Sequence, residues 1–143
     1  MFSQSVRSVM KRKMLLTAPP DATVTKASML MAKKSVGAVL VIEGGRLVGI
    51  FTERDAVFRV IAQGRDPRTT KLAEVMTVSP KTINPDQTYG QALLTMQEHG
   101  FRHMPVVENG GPVGIVSSRN ALDPELEEFV HETWRRKRIR RSL

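Results

Sequence analysis

The feature that most constrains this chain is an internal duplication. The stretch GIFTERD, residues 49–55, returns as GIVSSRN, residues 114–120, and aligning the two sets an offset of 65 residues. The match runs without a gap from about residue 14 to residue 55. Its identical pairs are Thr17/Thr82, Pro20/Pro85, Asp21/Asp86, Thr23/Thr88, Ala27/Ala92, Met31/Met96, Val41/Val106, Glu43/Glu108, Gly45/Gly110, Val48/Val113, Gly49/Gly114, Ile50/Ile115 and Arg54/Arg119. The chain therefore contains two copies of one unit, the smallest number that can cover each other's open faces.

Local patterns predict the same order of elements in each copy. The strings PDAT and PDQT indicate a turn and then a helix whose N-cap is the threonine, Thr23 in the first copy. Ala, Leu and Met then recur at helical spacing. The segment VGAVLVI is too short and too β-branched for a helix, and Gly44-Gly45 predicts a hairpin turn into the next strand. A second helix is predicted after Thr52, ending near Gly64. Each unit is thus strand, helix, strand, strand, helix.

Composition places the chain among globular proteins and excludes several kinds of site. Its 143 residues suit one ordinary domain, and 25% charged with 41% hydrophobic residues is close to the globular average. With no cysteine, the chain has no disulfides, thiolate metal sites or cysteine nucleophiles, which suits a reducing compartment. The longest apolar run, residues 36–42, is far below the ~20 residues of a membrane helix. We expect a cytoplasmic protein.

The net charge of +8 is concentrated near the two ends of the sequence. Residues 1–13 carry four bases and no acid, whereas residues 14–122 carry twelve bases and nine acids. Residues 123–143 carry five acids followed by six bases, all six of them after Trp134. The sequence pI of about 10.4 therefore describes the ends rather than a basic binding face.

These motifs, in this order and twice, resemble the paired cystathionine-β-synthase (CBS) domain, or Bateman module. The resemblance rests on VM at 9–10 and 75–76, PDAT and PDQT, SVGAVLVI and FRHMPVV, and GIFTERD and GIVSSRN. It covers roughly residues 6–122. The resemblance implies an α+β fold in which two β-α-β-β-α repeats pack with pseudo-two-fold symmetry. The boundaries that it implies are residues 6–64 for the first repeat, 65–70 for a linker, 71–123 for the second repeat and 124–143 for a C-terminal helix with a basic tail.

The resemblance also implies a function. CBS pairs are regulatory modules that bind adenine-containing ligands, such as AMP, ADP, ATP, NAD-type dinucleotides or S-adenosylmethionine, in clefts between the repeats. We therefore expect a non-catalytic sensor that requires no cofactor, takes the nucleotide as a regulatory ligand, and acts on a regulated protein that the sequence does not name. The resemblance further implies a homodimer, and the candidate interface residues are Val57, Phe58, Val60 and Ile61. The alternative place for these residues is the core of the chain itself, and the sequence does not choose between the two.

Two residues of GIFTERD have side chains suited to a nucleotide. Thr52 lies where a strand ends and a helix begins, and free backbone N–H groups at such a point suit a phosphate. Asp55 lies one turn further, where a carboxylate can accept hydrogen bonds from two ribose hydroxyls. The same T-x-x-D spacing is also typical of a helix capping box, and the two roles are compatible.

The second copy departs from the family pattern because Asn120 stands where the first copy has Asp55. An amide offers one carbonyl oxygen and a donor NH2, so it cannot accept from two ribose hydroxyls as a carboxylate does. Loss of such a pair weakens binding by ~1–3 kcal/mol. We expect one strong site at Asp55 and a weak or empty one at Asn120.

The resemblance implies further contacts around both clefts. Basic residues Arg102 and His103 are expected at the phosphates of a nucleotide whose ribose the other repeat holds, Arg119 at another phosphate, and Lys81 and Thr82 beside the adenine. Arg102 and His103 are alternatively an ordinary solvated pair at the start of a strand. The whole candidate set is Thr17, Gly37, Thr52, Arg54, Asp55, Lys81, Thr82, Arg102, His103, Met104, Ser117, Arg119 and Asn120.

Two alternatives to a binding module are an enzyme and a nucleic-acid or anionic-partner binder. For an enzyme, the three histidines His99, His103 and His131 lack metal-ligand spacing, and the chain has neither a P-loop nor a G-x-S-x-G elbow. For a nucleic-acid or anionic-partner binder, the segment WRRKRIRRSL could neutralise several phosphates. The acids that precede it indicate instead a helix whose acidic start and basic end complement its own dipole.

Overall fold

In the computed structural model, the described residues are 2–10, 15–121 and 132–136. Their elements, in chain order, are α1 (Val6–Val9), β1 (Thr17–Ala18), α2 (Val24–Lys34), β2 (Ala38–Glu43), β3 (Arg46–Thr52), α3 (Glu53–Asp55) continued by a π-helix (Ala56–Ile61), α4 (Leu72–Val75), β4 (Thr77–Val78), α5 (Tyr89–His99), β5 (His103–Glu108), β6 (Gly111–Ser117) and a 3-10 turn (Ser118–Ala121). Residues 132–136 are helical.

The predicted signals begin and end the two long helices. The Thr23 side chain accepts from the Lys26 N–H at the start of α2, and Thr88 forms a capping box with Gln91 at the start of α5. The helix α5 ends at Gly100 in the left-handed conformation, as a C-terminal glycine does. The hairpin between β2 and β3 turns at Gly44 and Gly45, both with positive φ.

The strands form two sheets, one on each repeat. The first has the order β1-β2-β3-β4, with β1 parallel to β2 and the other pairs antiparallel. The second contains the hairpin β5-β6. The strand predicted at the start of the second copy is reduced to a single bridge between Ile83 and Val106. Leu40 donates its N–H to Leu16 in the first copy, but the equivalent residue is Pro105, which has no N–H, so this ladder stops.

Each core receives a short segment that precedes the other repeat in the sequence. The helix α1 covers the second core, where Val6 is fully buried among Ile83, Tyr89 and Val106. The segment is held there by backbone hydrogen bonds, including Val6 N–H to the Gln87 carbonyl at 2.7 Å. We call this element and its equivalent, α4, the crossed helices.

The other crossed helix, α4, covers the first core. Leu72 and Val75 are buried there beside Val24 and Phe51. The Leu72 N–H donates to the Ala22 carbonyl at 2.9 Å, which fixes α4 against the turn that precedes α2. The strand β4 that follows extends the first sheet. The two repeats are therefore related by a pseudo-two-fold axis and exchange their leading segments.

The two sheets meet along β3 and β6. Ala38, Leu40 and Ile50 of the first repeat form a small core between the repeats, and Ile115 of the second packs against it. This arrangement confirms the predicted α+β fold of two packed repeats. Among the described residues, no helix combines the length and the apolar character needed to cross a bilayer.

One of the expected interface residues is instead part of the core. Val60 is fully buried in the core of the first repeat, which is the alternative place given for this residue rather than an interface. Its neighbours Val57, Phe58 and Ile61 are 49%, 56% and 70% exposed and form an apolar outer face. We call these three residues the outer face of the π-helix.

Candidate functional site

Thr52 and Asp55 form a complete capping box at the end of β3. The carboxylate oxygen Oδ2 of Asp55 accepts from the Thr52 N–H at 2.9 Å and from the Thr52 hydroxyl at 3.1 Å. The Asp55 N–H in turn donates to the Thr52 hydroxyl at 3.4 Å. Asp55 is only 8% exposed, so this carboxylate is held in one orientation.

The backbone donors at this point are not free, contrary to the sequence expectation. The Thr52 and Asp55 N–H groups are used within the capping box, and the Glu53 N–H donates to the Gly37 carbonyl at 3.0 Å. A phosphate would find few backbone donors here and depends on side chains.

The second oxygen of the Asp55 carboxylate faces an arginine that the sequence analysis missed. The Arg59 Nε lies 3.5 Å from Oδ1 of Asp55, one turn further along the chain. The i,i+4 spacing of an acid and a base was a signal that could have identified this pair. Both oxygens of Asp55 therefore have a partner in the structure without ligand.

Asn120 reproduces the first capping geometry with an amide. Its Oδ1 accepts from the Ser117 N–H at 2.8 Å and lies 3.4 Å from the Ser117 hydroxyl. The Ser118 N–H donates to the Arg102 carbonyl at 3.0 Å, as Glu53 does to Gly37 in the first copy. The two sites thus share these hydrogen bonds, but Asn120 is uncharged where Asp55 is charged, and a 3-10 turn (Ser118–Ala121) follows the second site where a longer helix follows the first.

His103 joins the repeats beside the first site. A Cβ added to Gly37 would lie 2.9 Å from Oε1 of Glu53 and 3.4 Å from Cε1 of His103, so these side chains approach each other over the glycine. Burial lowers the pKa of His103 below its ordinary value; Glu53 raises this pKa and Arg102 lowers it, both to a lesser extent. Glu53 is a further residue that the sequence analysis did not select.

The remaining candidates fall into three groups. Arg102, Arg119, Lys81 and Thr82 are exposed and Ser117 is half-buried, all on the second repeat. Arg54 stacks over the Phe58 ring at 4.8 Å and so points toward the outer face of the π-helix. Met104 is buried in the second core, which leaves only its backbone for a ligand.

Thr17 lies on β1 and lines a separate pocket. This pocket has a volume of about 420 Å³ and lies between β1 and the start of α2, with Asp21 and Lys26 among its lining residues. Thr52, Asp55 and His103 do not line it. The structure thus brings Gly37, Glu53 and His103 to one junction, while Thr17 lines a different pocket.

Two other expectations concern metals and the basic tail. Within residues 2–10, 15–121 and 132–136, no group of three His, Cys, Asp or Glu side chains could hold a metal ion. Of the C-terminal segment only 132–136 is described, and there the residues are helical and Arg136 pairs with Glu132 at 2.8 Å. A helix with an acidic start and a basic end stays a prediction. His131 and the basic residues 137–141 lie outside the described residues.

Comparison with known proteins identifies the family. The family model described as the CBS domain matches residues 6–62 and again residues 72–124. The CBS domain-containing protein YhcV of Bacillus subtilis is 37% identical over 113 residues, covering 79% of this chain and 79% of that protein. The Meiotically up-regulated gene 70 protein of Schizosaccharomyces pombe is 36% identical over 128 residues, but the chain spans only 18% of its length.

Solved structures agree with this assignment. A protein with CBS domains from Burkholderia ambifaria MC40-6, to which a role in signal transduction is ascribed, is 32% identical with a TM-score of 0.77, over 82% of this chain and 90% of that one. A hexameric CBS-CP12 protein of bloom-forming cyanobacteria is 27% identical with a TM-score of 0.78, over 85% and 70%.

The fold is also shared with a structure solved with ligands. The CBS domain pair of protein MJ0100, in complex with 5′-methylthioadenosine and S-adenosyl-L-methionine, has a TM-score of 0.74 at 23% identity, over 82% of this chain and 92% of that one. The two matches to the family model, together with the two exchanged repeats, show that this chain belongs to the CBS-domain family as a tandem pair.

Proposed function

We propose that this CBS pair is a non-catalytic regulatory module that binds an adenine nucleotide, of the AMP, ADP, ATP or NAD type, at the Asp55 site. The observation that carries the proposal is the oriented carboxylate of Asp55, nearly buried beside the junction of the two repeats. A fixed carboxylate can accept hydrogen bonds from a vicinal diol such as that of a ribose. Asn120, in the same geometry without charge, forms the weaker site.

Two further observations support this class of ligand. Exposed basic residues, Arg102 and Arg119, lie on the second repeat and offer charges to phosphate groups. The CBS pair of protein MJ0100, which shares the fold, holds two adenosine compounds. S-adenosylmethionine is therefore a necessary comparison among the ligands to be tested.

The signalling step follows from where the site lies. His103 of the second repeat and Glu53 of the first approach each other over Gly37, so a ligand that enters contacts both repeats. Binding that favours one relative packing of the repeats shifts the population toward it, which changes the surface that a regulated partner meets. A second copy of the chain is the partner we propose for the outer face of the π-helix.

Isothermal titration with AMP, ADP, ATP, NAD and S-adenosylmethionine tests the proposal. The variant Asp55→Asn is sharper than Asp55→Ala, because Asn120 shows that an amide preserves the capping geometry at this position. We expect one saturable site per chain, weakened about 10- to 100-fold by Asp55→Asn. The reciprocal variant, Asn120→Asp, should strengthen the second site.

Three outcomes of the titration test the proposed nucleotide binding. Saturable binding that is lost in Asp55→Asn, with unchanged unfolding temperature, supports the proposal and names the ligand. Equal affinity at the two sites of the unmodified protein contradicts the assignment of a strong and a weak site. An absence of binding for all five compounds overturns the proposed function.

A further inference from the structure

Arg59 contacts two parts of the molecule at once. Its Nη1 donates to the carbonyl oxygens of Val75 at 3.2 Å and Met76 at 3.0 Å, the last residues of the crossed helix α4. Its Nε lies 3.5 Å from Oδ1 of Asp55. One guanidinium therefore joins the carboxylate of the candidate site to a segment that lies 16 and 17 residues further along the chain.

The segment that Arg59 holds is itself tightly placed. Val75 is buried in the first core, and the Met76 side chain fills the space over Gly49, where a Cβ would overlap its sulfur. Gly49 lies on β3, the strand that ends in Thr52. The end of α4 is thus connected to the site in two ways: through Arg59 to Asp55, and through Met76 to Gly49 on the strand that ends in Thr52.

The two carboxylate oxygens of Asp55 have different partners. Oδ2 closes the capping box with Thr52, and Oδ1 is the oxygen that faces Arg59. A ligand hydroxyl that donates to the carboxylate must therefore share Oδ1 with the guanidinium. We propose that Arg59 is a positioning residue that couples the state of the Asp55 carboxylate to the docking of α4. The ligand-dependent half of this inference rests on the proposed function.

The two copies differ in sequence at the position of Arg59. The offset of 65 residues that relates the copies places Pro124 opposite Arg59, and proline has no side-chain donor. Asp55 likewise has the uncharged Asn120 as its equivalent. The first site is thus the one of the two whose residues provide a connection to a crossed helix.

If Arg59 only stabilises the end of α4, the expected result of removing the Asp55 charge is different. A cation at the last carbonyls of a helix stabilises that helix whatever its other neighbours are. In that case, removing the charge of Asp55 would leave α4 unchanged. The coupling requires instead that Asp55 and Arg59 act on α4 as one unit, which a double-mutant cycle measures.

The test uses hydrogen–deuterium exchange of residues 71–79 in the protein without ligand. The variants are Asp55→Asn, which keeps the capping acceptor, Arg59→Met, which keeps the aliphatic stem, and the two combined. The Met76 N–H, bonded to the Leu72 carbonyl at 2.8 Å, reports on the end of α4. We expect each single variant to speed exchange about threefold, and the double variant no more than Arg59→Met alone.

Arg65 provides a matched control. Its Nη2 pairs with Oε1 of Glu74 at 2.8 Å, so it also holds α4, but it does so through Glu74 and not through Asp55. Arg65→Met should speed exchange as well, and its effect should add to that of Asp55→Asn. An unchanged α4 in Asp55→Asn, or effects of Asp55→Asn and Arg59→Met that add, would overturn the coupling.

A second arm adds ATP or S-adenosylmethionine, each at saturation. In the unmodified protein and in Arg65→Met, the ligand that binds should change exchange in residues 71–79, and in Arg59→Met this change should disappear. If none of AMP, ADP, ATP, NAD and S-adenosylmethionine binds in the titration, the proposed function fails while the cycle without ligand still decides the coupling. If one binds and exchange responds equally in all three proteins, the ligand-dependent half is wrong.

Discussion

At the scale of single residues, the junction over Gly37 combines groups of different charge in a small space. His103 loses hydration there, while Glu53 and Arg102 act on it in opposite directions. The net result is a pKa below the ordinary value of about 6.5. Folding therefore favours the neutral imidazole, and protonation favours separation of the repeats or unfolding.

The stability of the protein should consequently fall in mild acid. Because the folded pKa of His103 is lowered, the unfolded chain takes up this proton first, and stability decreases as the pH falls below about 6.5 until the folded pKa is passed. Urea unfolding between pH 5 and pH 8 measures the effect. His103→Gln should flatten this part of the profile, and His99→Gln, which alters an exposed ring, should not. Identical profiles for the two variants would contradict the assignment.

The capping residues could be predicted from the sequence, but Arg59 could not be given its full role. Thr52 and Asp55 lie three residues apart, so their spacing alone indicates the hydrogen bonds that they make. The contacts of Arg59 with Val75 and Met76 depend on where α4 docks. That position is set by packing between distant segments, on which local spacing carries no information.

At the scale of elements, each crossed helix ends in a methionine that covers a glycine of the central hairpin. A Cβ on Gly114 would lie 2.6 Å from the sulfur of Met10, and a Cβ on Gly49 would overlap the sulfur of Met76. The duplication explains why the same fit occurs twice. Neither strand can accept a side chain here without displacing a crossed helix.

Alanine at either glycine should therefore destabilise the fold. We expect Gly49→Ala and Gly114→Ala to lower the free energy of unfolding by about 1–3 kcal/mol, since the side chains of Met76 and Met10 must move. Chemical denaturation measures the loss, and Met76→Ala should rescue Gly49→Ala in part. Gly111→Ala is the matched control, because the nearest atom to its Cβ would be 3.8 Å away. A neutral Gly49→Ala would show that α4 docks more loosely than the structure indicates.

The exchange of the crossed helices lay beyond what the sequence could predict. Each core has a glycine at the same position, Gly49 in the first and Gly114 in the second. Each leading segment carries Val followed by Met, at residues 9–10 and 75–76. Local pattern therefore cannot choose which segment enters which core, since the two choices bury equivalent side chains. Pro105, by contrast, could have been recognised as the end of a strand ladder.

At the scale of the whole molecule, the outer face of the π-helix is apolar and uncovered. Val57, Phe58 and Ile61 are all about half exposed or more. Apolar side chains grouped on a surface mark a contact with another protein. A second copy of this chain is the occupant that we expect, and the hexameric CBS-CP12 protein shows that relatives of this fold assemble.

Substitution on this face should change the oligomeric state without unfolding the protein. We expect Ile61→Lys to shift the protein toward monomer, by at least about tenfold in the dissociation constant, because it places a charge in an apolar contact. Sedimentation velocity measures the shift. Leu94→Lys, an exposed position on α5, is the control. A monomeric unmodified protein would refute the dimer and leave the face for a different partner.

The exchange of the crossed helices also determines the order in which the two cores can form during synthesis. Val6 is made about a hundred residues before Val106, with which it shares a core. At ribosomal speeds of about 5–20 residues per second, α1 waits roughly 5–20 seconds for its site to exist. Meanwhile the first repeat can receive α4 and close its own core. The helix α1 is thus placed only after the second repeat has been made, and until then its apolar side chains are exposed to other proteins in the cell.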